Sequence, residues 1–321
     1  MSAPANEAIT VVIPTWRRAP WLRRNLEALS RQSRLPDAVI VVGREEDVDA
    51  QEVVRSVDVG CPVRWILVDR PGHVPPIEKG LAATETPLVA FLDDDVIPEP
   101  DWLKELAAGF ASADIVCVGG ALEDATLTIR GGVKPDAGQI RWYGRFVGNV
   151  GALRIPEPID VAGVHEGNSA WRTEVLRSLR FEPALQGDEA AMYGLDLSLQ
   201  ARARGGRIRY IPSAMVRVDE APRDPSLVKQ DRVARVRSYC HNATYISLRR
   251  LRGLQRWASV VWSLLIGERE SYGLIKAVAD LIRGPDRRRV ASLWRASIAG
   301  RWAGYRDWRR DRAPTRRGDS T

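Results

Sequence analysis

Val89 to Pro98 reads VAFLDDDVIP: an apolar run that stops at Asp93, Asp94 and Asp95 and turns apolar again at Val96. Adjacent like charges repel, so three ionised carboxylates in a row require a counter-charge, which a divalent cation supplies economically. The plain alternative is a solvated acidic turn. Apolar flanks on both sides argue against it, because they set the charges at the edge of a core.

Outward from this stretch, short β-branched runs alternate with helical patterns. Strands are expected at Ile9–Pro14, Ala38–Val42, Val63–Val68, Leu88–Leu92 and Ile115–Val118. Between them, helices are expected from Pro20 to Arg31, Asp49 to Val57, Pro76 to Thr84 and Trp102 to Phe110, the last capped by Asp101. Strands buried on both faces read as continuous apolar runs, and their alternation with helices predicts an α/β fold with a doubly wound, mostly parallel sheet. In such sheets ligands bind where the strands' carboxyl ends open into loops, which is where the three aspartates stand. Residues 119–164 read as loops and short strands. Helices return at Arg172–Leu179 and Leu195–Arg204, followed by a strand at Arg207–Ile211.

The net charge of +7 conceals an asymmetry: residues 222–321 carry 23 Lys/Arg against 9 Asp/Glu, while the remainder carries 25 against 32. The basic part also holds five of the 11 Trp. Helical stretches are expected there at Tyr245–Leu254, Trp257–Ile266, Tyr272–Ile282 and Val290–Trp302. Basic amphipathic helices bearing Trp suit an anionic membrane surface; packing on the front domain and self-association are the alternatives, and nucleic acid is not an expected partner. The apolar run Ala258–Ile266 is roughly half of the ~20 residues a bilayer crossing takes, so no transmembrane helix is expected. Met1–Asn6 shows no secretory pattern, and Cys61, Cys117 and Cys240 lack ligand or pairing spacing. A cytoplasmic protein, peripheral on the inner face of the membrane, is the expectation.

Four motifs taken together, TVVIPTWRR (10–18), VAFLDDDVIP, EGNSAWRTEVL (166–176) and the series FEPAL to LDLSLQARARGGRIRYIP (181–212), resemble the family 2 glycosyltransferases, inverting nucleotide-sugar enzymes of GT-A fold. The resemblance covers about residues 8–220. It implies a GT-A domain over 1–221, with a nucleotide-sugar half to about residue 120 and an acceptor half beyond it; a helical extension over 222–308 and a disordered tail over 309–321 complete the expected organisation. It also implies transfer from a nucleoside-diphosphate sugar to a glycan or lipid-linked acceptor, in polysaccharide or glycolipid synthesis.

Carried over by position, Asp95 binds Mn²⁺ or Mg²⁺ with Asp93, which also faces the ribose or sugar, and Asp94 is either a further donor contact or structural. Pro14, Thr15, Trp16 and Arg17 form the nucleotide loop, with Trp16 as a stacking face or a buried wedge and Arg17 or Arg18 on the diphosphate. Gly43 stands where the family has a base-reading Asp, leaving Glu45 as a substitute. Lys79 replaces a lost Arg or is a surface lysine. Asn168 and Trp171 lie beside the sugar, and His165 is secondary.

Inversion requires a base for the acceptor hydroxyl's proton. The family's Glu-Asp pair falls on Tyr193 and Gly194, neither of them acidic. The nearest carboxylate is Asp196, then Glu189, with Asp188 behind them; Asp196 could equally be a helix cap. A catalytically inactive nucleotide-binding relative is therefore the alternative function. A haloacid-dehalogenase-type phosphotransferase would want its Asp-x-Asp near the first strand, and a nucleotidylyltransferase a Gly-rich first loop; this sequence has neither.

Overall fold

The structure is a computed structural model describing residues 7–124, 135–185, 192–219, 232–267, 271–283 and 286–312. The chain divides into two compact units: Met1–Gln139, Phe146–Glu182 and Tyr193–Leu227 form the first; Ile140–Arg145, Pro183–Met192 and Val228–Thr321 form the second.

In the first unit β1 (Ile9–Pro14), β2 (Ala38–Gly43), β3 (Val63–Leu67) and β4 (Leu88–Leu92) are joined through α1 (Ala19–Leu29), α2 (Val48–Ser56) and α3 (Val74–Ala83). Then follow β5 (Val96–Pro98), α4 (Trp102–Ala108), β6 (Ile115–Glu123), β7 (Ile159–Val161), β8 (Asn168–Arg172), α5 (Thr173–Ser178), α6 (Tyr193–Ala203) and β9 (Arg207–Val218). The sheet runs β3-β2-β1-β4-β8-β6-β9-β5, with β7 also on β9. Strands β1 to β4 are mutually parallel; β8 enters antiparallel between β4 and β6. Because β8 runs the opposite way, its first residue, Asn168, lies opposite Leu92, the last of β4. One sheet edge thus collects the carboxyl ends of the parallel strands and the entry of β8.

Successive strand residues point to opposite faces, so the same strands build two cores. Ile9, Val11, Ile13, Leu88, Ala90 and Leu92 pack with Leu22, Leu26 and Leu29 of α1. Val12, Ile40, Val42, Val89 and Phe91 pack on the other side with Ile77 and Leu81 of α3.

Several boundaries differ from expectation. β6 and β9 extend beyond the short apolar runs, because β9 offers one edge to β6 while β7 takes the first half of its other edge and β5 the second. Asp101 precedes α4 but its carboxylate accepts from Ser33 Oγ at 2.6 Å and makes no side-chain cap; Asp47 does cap α2, accepting from the Ala50 N–H.

The second unit contains α7 (Arg232–Arg250), α8 (Gly253–Leu265), α9 (Leu274–Arg283) and α10 (Arg287–Arg312). The helix α10 continues through residues 309–312, where a disordered tail was expected; 313–321 lie outside the described residues. Glycines let α10 approach α7: a Cβ at Gly300 would fall 2.9 Å from Cys240 Cβ. No helix among the described residues is long and apolar enough to cross a membrane.

Candidate functional site

The acidic turn leaves β4 with its backbone held. The Asn25 side chain, fully buried on α1, donates through Nδ2 to the carbonyls of Asp93 (3.0 Å) and Val96 (2.8 Å). The Asp93 N–H donates to the Gly167 carbonyl at 3.1 Å, fastening the turn to the loop before β8. A side chain at position 167 would overlap the Asp93 carboxyl, so the motif requires glycine there.

The counter-charge for the aspartates comes first from within the chain. Arg18 Nη1 donates to Asp94 Oδ1 at 2.8 Å and Asp95 Oδ2 at 2.9 Å, and Thr15 Oγ1 donates to Asp94 Oδ2 at 2.7 Å. Asp94 is 4% exposed. Burial pushes its carboxyl up to about 6, against the opposing pull of Arg18 and the Thr15 hydrogen bond. Asp93 is raised as well, chiefly by burial, with Asp95 and Glu166 adding to the rise and His165 and His73 opposing it. Asp94 is thereby buried and bonded, whereas Asp93 and Asp95 are half-buried at the sheet edge.

The loop after β1 brings Pro14, Thr15, Trp16 and Arg17 to the same edge. Arg17 adopts φ 53°, a left-handed conformation held by the hydrogen bond from its N–H to Asp47 Oδ2 (2.6 Å). The Trp16 ring is not a bare stacking face: the guanidinium carbons of Arg44 and Arg17 lie 4.2 and 4.9 Å from its centroid. Such contacts contribute about 0.5–1 kcal/mol each at partly exposed positions. Gly43 has a reason of its own, since a Cβ there would come within 2.6 Å of Trp65 Cζ2. The indole fills the space an Asp would need.

Asn168, Trp171, Lys79 and Asp196 take the following places in the fold. Asn168 is fully buried and spent on structure: its Oδ1 accepts from Trp102 Nε1 (2.8 Å), and its Nδ2 donates to the Ala121 carbonyl (2.8 Å). Trp171 is 3% exposed inside the second core. Lys79 is exposed on α3, with no hydrogen bond or ion pair among the described residues, while its neighbours Ile77 and Leu81 face the core. Asp196 is 1% exposed and accepts from Gln200 Nε2 at 2.8 Å, one turn along α6; Gln200 in turn bonds both backbone groups of Arg180. Its carboxylate is thus engaged within its own helix. Glu45 is exposed beyond β2, and Asp188 and Glu189 lie outside the described residues.

Sequence reasoning passed over Arg44, Asn25 and Glu166. Glu166 precedes β8, and its Oε1 accepts the Gly194 N–H at 3.1 Å. Glu166 is joined to α6 through the Gly194 N–H and, through the next residue Gly167, whose carbonyl accepts the Asp93 N–H, to the acidic turn, so these groups form one cluster; burial pushes the neighbouring Tyr193 phenol well up, with the charges of Glu166 and Asp93 adding to the effect. His165, next in line, has a buried Nδ1 without a hydrogen-bond partner among the described residues.

Comparison with known proteins matches this arrangement. The profile described as glycosyltransferase like family 2 fits residues 4–238. A pre-mycofactocin glycosyltransferase of Mycobacterium tuberculosis is 29% identical over 223 residues, 68% of this chain and 44% of that protein. The chain spans less than half the length of the curated relatives it matches. Among solved structures, the mannosyltransferase PcManGT from Pyrobaculum calidifontis, in complex with GDP-Man and Mn²⁺, superposes with TM-score 0.55 at 15% identity, covering 96% of this chain and 90% of that one. Glucosyl-3-phosphoglycerate synthase of Mycobacterium tuberculosis, with Mn²⁺, UDP and glucosyl-3-phosphoglycerate, gives TM-score 0.50 at 20% identity, covering 77% and 81%. These two likenesses carry the fold, and the profile carries the lineage: the chain has a GT-A-like fold and belongs to the glycosyltransferase-like family 2.

Proposed function

We propose that this chain transfers a sugar, with inversion, from a nucleoside-diphosphate sugar to an acceptor hydroxyl, using Mn²⁺ or Mg²⁺ at Asp95 and Asp93. The observation that carries this reading is the acidic turn at the end of β4, where the guanidinium of Arg18 pairs with Asp94 and Asp95 and no ion pair among the described residues reaches Asp93. Two negative charges are left over, on oxygen donors suited to a hard cation. No group of three or more His, Cys, Asp or Glu among the described residues forms a complete protein cage. Asp95 and Asp93 would hold the cation, with the donor's phosphates supplying further oxygen ligands. Bound there, it would supply positive charge opposite the diphosphate as that group departs. Thr15 and Arg18 keep Asp94 in place behind it, Asn25 fixes the turn, and Trp16 with Arg44 and Arg17 offers a flat cationic surface for the nucleotide. With Gly43 closed off by Trp65, base recognition rests on that surface rather than on a carboxylate.

Calorimetry with UDP or GDP and MnCl₂ tests the site. Asp95→Asn should abolish metal-dependent binding; unchanged affinity refutes the assignment. The absence of a carboxyl side chain at Gly194, with Asp196 sealed in the interior, keeps an inactive nucleotide-binding relative as the second reading. Binding without release of nucleoside diphosphate from any donor would select it.

The same proposal extends to a lipid-linked acceptor at an anionic membrane face, in polysaccharide or glycolipid synthesis. Leu254, Trp257 and Val261 of α8 and Ile275, Val278 and Ile282 of α9 are exposed at helical spacing, with Arg256, Lys276 and Arg283 on the same helices. Apolar faces with basic neighbours match an anionic interface. Failure of the chain to co-sediment with phosphatidylglycerol vesicles at low salt would end this part.

A further inference from the structure

Among the described residues the expected base, Asp196, is closed in the interior, and the structure assigns another: we infer that Glu166 is the carboxylate that takes the acceptor hydroxyl's proton. This rests on the glycosyl-transfer reading and names its missing residue. Three independent observations converge. Glu166 stands in the cluster that contains the acidic turn. The next residue, Gly167, lies directly under the Asp93 carboxyl, its carbonyl accepts the Asp93 N–H, and the charge of Glu166 is felt at both Asp93 and Tyr193.

The carboxyl of Glu166 also fills the space that a side chain at Gly194 would occupy. A Cβ on Gly194 would fall 2.9 Å from Glu166 Cδ and 3.0 Å from its Oε1. Position 194 itself carries no acid, and one is delivered to it from a residue 28 positions earlier in the chain. The residue is also held for the task. Oε1 accepts the Gly194 N–H at 3.1 Å in the first turn of α6. The Ser169 hydroxyl donates to the Glu166 carbonyl at 2.9 Å and fixes the loop. The side chain is half-buried, unlike Asp196, so one face remains open.

The step balances. The acceptor oxygen bonds to the anomeric carbon, the bond from that carbon to the diphosphate oxygen breaks with its electron pair leaving on the diphosphate, and the hydroxyl proton passes to Glu166.

The test measures release of nucleoside diphosphate from UDP-glucose, UDP-GlcNAc and GDP-mannose with MnCl₂, water serving as acceptor, for the full chain and Glu166→Gln. Glutamine keeps the oxygen that accepts from Gly194 N–H, so melting temperature and donor KM should hold while kcat falls roughly 10²–10⁴-fold, the range of a general base. A second variant moves the acid to the helix: Glu166→Gly with Gly194→Asp should regain at least about tenfold in kcat over Glu166→Gln, a recovery that a merely capping role does not give. A Glu166→Gln kcat within about threefold of the unmodified chain overturns the assignment and leaves the transfer reading standing. So does a loss of kcat matched by a lower melting temperature without recovery in the double variant. If the unmodified chain turns over none of the three donors, the transfer reading itself falls, and this inference with it.

Discussion

Replacing Arg18 by methionine should expose how the acidic turn is held. The guanidinium bonds Asp94 and Asp95 at 2.8 and 2.9 Å, with side-chain exposures of 24% for Arg18, 5% for Asp94 and 24% for Asp95. Removing one partner of a fully buried pair costs about 3–5 kcal/mol, and exposed pairs are worth about 0.2–1 kcal/mol. A site one-quarter open falls between, at about 2–3 kcal/mol near pH 7.5. With a urea slope of about 2–3 kcal/mol/M, the midpoint of unfolding should drop by roughly 1 M. The cost should also depend on pH. The Asp94 carboxyl is raised to about 6 in the fold, above its ordinary value, so the native state binds that proton more tightly. The stability this confers is fully present below the unfolded-state value and is lost as pH rises through about 6. Without Arg18, whose charge opposes that rise, the carboxyl titrates higher still, and at pH 5 it is protonated in both proteins. The difference between them should therefore shrink from pH 7.5 to pH 5. Urea curves without metal at the two values decide the matter: a midpoint shift under about 0.2 M at pH 7.5, or one of equal size at both, would refute the reasoning.

Other outcomes follow from the same geometry. Gly43→Ala should destabilise by about 1–3 kcal/mol through overpacking against Trp65, and Trp65→Leu in the same chain should restore most of the loss, read from melting temperatures. Asn168→Ala leaves Trp102 Nε1 and the Ala121 carbonyl without partners, so about 3–5 kcal/mol of stability should vanish in urea titrations while donor affinity of the folded protein, by calorimetry, stays the same. Trp16→Ala should weaken nucleotide binding about tenfold or more with little change in melting temperature, because the ring lies at the edge of the fold.

Strand and helix alternation, the two-faced core and the acidic turn were legible because each depends on near neighbours in sequence: continuous apolar runs in β1 and β4, and three charges at a strand end. The antiparallel entry of β8 was not, since NSAWR is short and mixed and its place in the sheet depends on pairing with β4 from 80 residues earlier. The same distance misled the reading of polar residues. Asn168 has the chemistry of a ligand, yet its partners come from α4 and β6; Asp196 has the chemistry of a base, yet its own helix supplies Gln200. Conversely, Glu166 was visible within EGNSAWR, but its meeting with Gly194 arises only when the loop before β8 and the start of α6 converge. Such compensation crosses the fold, where spacing along the chain carries no signal.

The amide of Asn25 has a consequence for temperature and rate. Because it holds the carbonyls of Asp93 and Val96 from within a packed helix, the turn's conformational freedom is surrendered when the protein folds, not when a donor arrives. Capture of the nucleotide then resembles docking onto a set template, and its speed should follow diffusion and charge attraction rather than loop closure.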